Sequence, residues 1–163
     1  MGIPVYFKTI ISQYQDDILI KSELENISLL CFDLNCLIHP CCREIISRGS
    51  TDEDEMIDYL LESIESLVTL TKAKDIYLAI DGIPPKAKMK QQRQRRHRSA
   101  LESVTWDTNA ITPGTYFMDR LNARLHKRYD NVENFVISDS SEVGEGEHKI
   151  FAYLETIEKR DNI

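Results

Sequence analysis

The chain has 163 residues, 42% hydrophobic and 29% charged, the size of one domain with enough apolar side chains for a core. No apolar run reaches the ~18 residues of a membrane-spanning helix, and MGIPVYFKTI shows no basic segment leading into an apolar one, so neither a membrane span nor a secretory signal is visible. The net charge of −7 argues against general affinity for nucleic acid, yet residues 86–98 hold seven of the twenty Lys and Arg and no acid, which points to one focused anion site on an acidic protein.

Gly2 invites N-myristoylation, but Tyr6 stands where that motif needs Ser or Thr. A first buried strand is expected over residues 27–33, ending in Asp33. Cys31, Cys36, Cys41 and Cys42 then fall within twelve residues, too close together for a disulfide framework. A zinc cluster of Cys36, His39, Cys41 and Cys42 matches no usual spacing, and adjacent Cys41 and Cys42 crowd a tetrahedral site. Reduced thiols in an intracellular compartment, cytoplasmic or nuclear, are the plainer reading.

Ser50, Thr51 and Asp52 are good cap residues. After them Met56, Ile57, Leu60, Leu61, Ile64, Leu67 and Val68 recur at helical spacing. A second strand is expected over 76–81, ending in Asp81, and Pro84 and Pro85 close it before the basic segment. A helix starting near Pro113 carries Phe117, Leu121 and Leu125. A third strand over 134–139 ends in Asp139, and a last helix from near Gly146 uses Ile150, Tyr153, Leu154 and Ile157. Alternating strands and helices imply an α/β fold: a mostly parallel sheet flanked by helices, in one domain over 1–163.

Open parallel sheets bind ligands beyond the carboxyl ends of their strands, where Asp33 and Asp81 are expected. Each could simply cap the loop that follows it. Glu145 and Glu147 flank Gly146 at a helix start, where acids are favoured by the dipole alone. Four acids gathered at one sheet edge would repel unless a cation neutralised them, and hard ions such as Mg²⁺ take oxygen ligands of this kind. In the basic segment, Lys88, Gln92, Arg95 and Arg96 fall at i, i+4, i+7 and i+8 of a helix. That stripe can bind a terminal phosphate. It also fits a solvated basic face or a nuclear-targeting run. The lone Trp106 reads as a packing residue.

MGIPVYF, CFDLNCLIHPC, AIDGIPPKAKMKQQRQRRHR, NAITPGTYFM and GEGEHKI, in that order, resemble the motifs of the Xrn/Rat family of 5′→3′ exoribonucleases across nearly the whole chain. The resemblance implies a Rossmann-like, PIN/flap-nuclease-like nuclease domain, here its N-terminal portion. It implies catalytic metal ligands at Asp33, Asp81, Glu145 and Glu147, with Mg²⁺ as the ion and Mn²⁺ as an alternative. It implies 5′-phosphate binding by Lys88, Gln92, Arg95 and Arg96, contact with the first nucleotide by His39, and support of the ligands by Asn35. The implied reaction is hydrolysis of 5′-monophosphorylated single-stranded RNA to nucleoside 5′-monophosphates.

The chain departs from the family pattern in three places: Cys36 for Gly, Val143 for Pro and the pair Lys8-Thr9 for a basic-Trp pair. The family's later catalytic acids and its second conserved region have no counterpart here, so a downstream segment or second polypeptide is expected to complete the active site. Two rival readings are an inactive RNA-binding or interaction fragment and a flap-type structure-specific DNA nuclease.

Overall fold

A computed structural model describes residues 9, 12–13, 27–102 and 105–161. The opening motif, with Gly2, Tyr6 and Lys8, lies outside them. In chain order the elements are β1 (Leu29–Asp33), α1 (Asn35–Ser47), α2 (Glu53–Thr71), β2 (Asp75–Ala79), α3 (Lys86–Glu102), a 3₁₀ turn (Thr108–Ala110), α4 (Tyr116–Tyr129), β3 (Phe135–Ser138) and α5 (Gly146–Asp161). The three strands form one parallel sheet in the order β1-β2-β3, with Phe32 opposite Leu78 and Leu78 opposite Ile137. The fold is therefore α/β with a parallel sheet flanked by helices, consistent with the PIN-like portion that the sequence resemblance implies.

Alternation along β2 separates two layers. Ile76 and Leu78, with Ile80 just beyond, join the main core, which also takes Ile38 and Ile45 from α1, Ile57, Leu60 and Ile64 from α2, and Leu121 and Leu125 from α4. Tyr77 points to the other face, where its ring stacks on Tyr153 of α5 at 4.1 Å.

The cap at Asp52 starts α2 as its sequence suggests, its carboxylate accepting from the Asp54 amide at 2.8 Å. Helix α4 begins at Tyr116 rather than near Pro113. Gly114 adopts φ +83°, which no helix continues through, and the Thr115 hydroxyl accepts from the Met118 amide at 3.4 Å. Helix α1 is not foreseen by the sequence reading. Its buried stripe is Ile38, Cys41, Cys42 and Ile45, so two of the thiols are core side chains. Cys41 donates to the Ser63 hydroxyl at 3.6 Å, while Cys36 is exposed.

The second and third strands stop short of their acids. Ile80 still donates to Ser138 O at 2.9 Å, but the next amide, of Asp81, turns to the Asn35 side chain at 2.9 Å. Asp81 thus stands two residues beyond β2, and Asp139 one beyond β3.

Candidate active site

The carboxyl ends of the strands and the first turn of α5 bring the acids together. Asp33 closes β1; its Oδ1 accepts from the Asn35 amide at 3.2 Å and its Oδ2 from the Cys36 thiol at 3.6 Å. Burial pushes the Asp33 carboxyl above the usual range, and the neighbouring carboxylates of Asp81 and Glu147 push it further. Asp81 Oδ1 accepts from the Gly146 amide at 2.7 Å. A Cβ on Gly146 would sit 2.8 Å from Asp33 Oδ1, so the backbone of α5 comes against both aspartates only because residue 146 has no side chain.

Glu145, just ahead of α5, is buried and ion-paired with Lys88 of α3. Glu147 is exposed, and one ligand atom each from Glu145, Glu147 and His148 lie within 4.8 Å of one another. Behind this turn, the buried Lys149 ammonium donates to Ile80 O at 2.8 Å and Asp139 O at 2.6 Å. Burial lowers its pKa against the opposing pull of Glu142, Asp139 and Asp81. Among the described residues the ligand atoms that come within 4.8 Å of one another are those of Glu145, Glu147 and His148; Asp33 and Asp81 lie beside that group and are not part of it, so the donors near the turn are mostly carboxylate oxygens. That donor set fits a hard divalent cation.

Beside the acids lies a cavity of about 270 Å³. Asn35, His39 and Asp81 line one side; Gln92 and Arg96 of α3 line another; Thr108, Asn109, Ile111, Thr112 and Pro113 close it. Arg96 Nη2 donates to Gln92 Oε1 at 3.2 Å, and Asn109 donates to the carbonyl of Arg96 at 3.3 Å. His39 also faces an outer extension bordered by Cys36, Pro40 and Arg43. Of the stripe read from the sequence, Gln92 and Arg96 therefore face the cavity and Lys88 faces Glu145. The Arg95 side chain lies outside the described residues.

The description XRN 5′-3′ exonuclease N-terminus matches residues 1–105 and 101–163. The chain belongs to that family. A 5′-3′ exoribonuclease 2 homolog of Drosophila melanogaster is 29% identical over 214 residues, covering 94% of this chain and 24% of that protein. The 5′-3′ exoribonuclease 2 proteins of Schizosaccharomyces pombe and Saccharomyces cerevisiae are each 32% identical, over 81% and 82% of this chain and 17% of their own lengths. The chain thus spans about a fifth of the curated relatives it matches. Among the described residues, no helix is long and apolar enough to cross a membrane.

Within the XRN framework the sequence reading passes over three features. His148 lies in GEGEHKI, where a lone histidine carries no ligand signal of its own. Asn109 and Thr112 lie in the NAITPGTYFM stretch and Thr108 just ahead of it, where polar residues beside Pro and Gly read as loop and give no site signal by themselves. Lys149 reads as an ordinary helix-surface lysine until the fold buries it.

Proposed function

We propose that this chain is the N-terminal part of the catalytic region of a 5′→3′ exoribonuclease that degrades 5′-monophosphorylated single-stranded RNA to nucleoside 5′-monophosphates. The observation that carries the reading is the shared position of Asp81, which lines the cavity holding Gln92 and Arg96 and also contacts the α5 turn bearing Glu145 and Glu147. A terminal phosphate beside Arg96 would thus lie next to the acids.

Asp33, Asp81, Glu145 and Glu147 would hold Mg²⁺, or Mn²⁺ in its place. Bound there, the ion supplies a Lewis acid and a water of lowered pKa. Arg96 offers a fork of donors to phosphate oxygens, and Gln92 orients that fork through its own oxygen. Arg95 and Lys88 complete the basic set in this reading. His39, on the cavity wall, meets the first nucleotide, and Asn35 fixes the backbone at Asp81. Residues 1–163 act as one α/β unit, with full turnover requiring a further segment or polypeptide. Free thiols fit a reducing intracellular compartment.

The ion pair of Lys88 with Glu145, which already neutralises one proposed ligand, favours a second reading, an RNA-binding portion without turnover of its own. The chain, with Mg²⁺ or Mn²⁺, is offered 5′-phosphorylated RNA, 5′-hydroxyl RNA and a 5′-flap DNA. Nucleoside 5′-monophosphates lost in Asp81→Ala support the enzyme. Preferential binding of 5′-phosphorylated RNA without products supports the second reading. Preference for the flap, or none among the three, overturns both.

A further inference from the structure

Lys149 is the one buried lysine among the described residues, and its place in the fold is informative. The last rung between β2 and β3 is Ile80 N to Ser138 O. Past it the strands part: the Asp81 amide goes to Asn35, and the Asp139 carboxylate goes to Ser141 and His126. The Lys149 ammonium spans that gap, reaching the carbonyl just before Asp81 and the carbonyl of Asp139. Its own amide donates to Glu145 O at 3.0 Å, so it grows from the turn that bears Glu145 and Glu147.

We propose that Lys149 is a positioning residue: its ammonium locks Asp81 and the Glu145–Glu147 turn into one register, so that the carboxylates converge. The inference rests on the metal-binding reading above. A buried lysine serving two carbonyls could be a staple of the fold alone. What separates the roles is where the carbonyls lie: one belongs to the residue before a proposed ligand, and the lysine itself is two residues after another. Groups behind metal ligands commonly set affinity by fixing ligand geometry.

The test compares wild type with Lys149→Met, which keeps the length but removes the donors, and Lys149→Arg, which keeps charge and donors. The first readout is the NMR shift of the Gly146 amide proton, which reports its bond to Asp81; Asp81→Ala gives the unbonded reference. The second is Mn²⁺ affinity by electron paramagnetic resonance. In Lys149→Met the Gly146 shift should move toward the reference and Mn²⁺ affinity should fall ~10-fold or more. Lys149→Arg should recover part of both, while Leu125→Ala, a core change, should lower stability and leave both unchanged. A folded Lys149→Met with a wild-type Gly146 shift overturns the proposal, as does wild-type Mn²⁺ affinity. If Lys149→Met does not fold, Lys149→Gln takes its place under the same criteria. Should wild type itself bind no Mn²⁺, the metal reading falls, and the Gly146 shift alone decides whether Lys149 positions Asp81.

Discussion

The backbone amide of Gly146 lies 2.7 Å from Oδ1 of Asp81. This single bond joins the first residue of α5 to a loop acid 65 positions earlier. It makes the helix N-terminus a partner for a carboxylate, where the dipole favours negative charge. It also brings the peptide so close to Asp33 that residue 146 has no room for a methyl group.

Gly146→Ala should therefore destabilise the fold. Helix propensity alone favours Ala by ~1 kcal/mol. Against that, a Cβ 2.8 Å from Asp33 Oδ1 forces a carboxylate or the α5 turn to move, an overpacking that costs about 1–3 kcal/mol. Chemical denaturation should show a net loss and Mn²⁺ titration a weaker site. A variant more stable than wild type with unchanged Mn²⁺ binding would mean the turn is slack.

His126 sits between two carboxylates, Nδ1 at 2.7 Å from Asp130 and Nε2 at 2.9 Å from Asp139. Only the imidazolium donates from both nitrogens. Its hydrogen bonds to the carboxylates of Asp130 and then Asp139 raise its pKa. For Asp139, burial acts upward, but the Ser141 and His126 bonds outweigh it and hold the carboxyl low. A raised histidine contributes stability fully below its unfolded pKa of about 6.5 and loses it as pH rises through the folded value. The depressed aspartate contributes above its unfolded pKa and loses it as pH falls through the folded value. The stability gap between wild type and His126→Gln should be widest between the two unfolded values, about 3.9 and 6.5, and close as pH passes through the folded value on either side. The ring is partly exposed, so the gap should be ~1 kcal/mol or less and shrink with salt. A gap flat from acid to alkaline pH would show that the ring acts only by packing.

Much of this fold is legible in the sequence, because apolar runs ending in acids and the Asp52 cap carry their own local signals. Helix α1 was hidden by chemistry: Cys41 and Cys42 invite comparison with ligands, yet they occupy i+3 and i+4 of a buried stripe begun by Ile38. The apolar Ile80 makes Asp81 look like a strand end; only the tertiary bond from its amide to Asn35 shows that the ladder has stopped. Lys88 shares a helical stripe with Gln92 and Arg96, but its ammonium goes to Glu145, brought in from 57 positions away. Spacing on a helix specifies a face and says nothing of what the fold brings to it.

Trp106 packs edge-on against Phe117 with ring centroids 5.4 Å apart, and its Nε1 comes within 3.4 Å of Glu53 Oε1. Trp106→Leu should cost about 1 kcal/mol or more of stability, since it removes an aromatic pair and part of the burial. RNA affinity should stay unchanged. A platform for a base would instead lose ~1–3 kcal/mol of binding. Paired denaturation and RNA titration separate the two, and a binding loss with unchanged stability would rule out packing as its role.

The cavity wall formed by Gln92 and Arg96 yields the most direct test of the substrate reading. Arg96 is half-buried, holds Gln92 Oε1 and lines the same space as Asp81 and His39. A 5′-monophosphate offers it more charge and more acceptors than a 5′-hydroxyl. Arg96→Ala should therefore remove a charge-assisted contact of roughly 1.5–3 kcal/mol, felt most by 5′-phosphorylated RNA. Gln92→Ala should act in the same direction but less, because it removes the group that orients the fork and leaves the charge. If α3 is merely a basic face, both RNAs should lose affinity equally, and the loss should follow salt as backbone phosphate binding does. Wild type, Arg96→Ala and Gln92→Ala are titrated against both RNAs at two salt concentrations. Equal affinity of folded wild type for the two 5′ ends would remove the pocket and leave only a basic helix beside an acidic site.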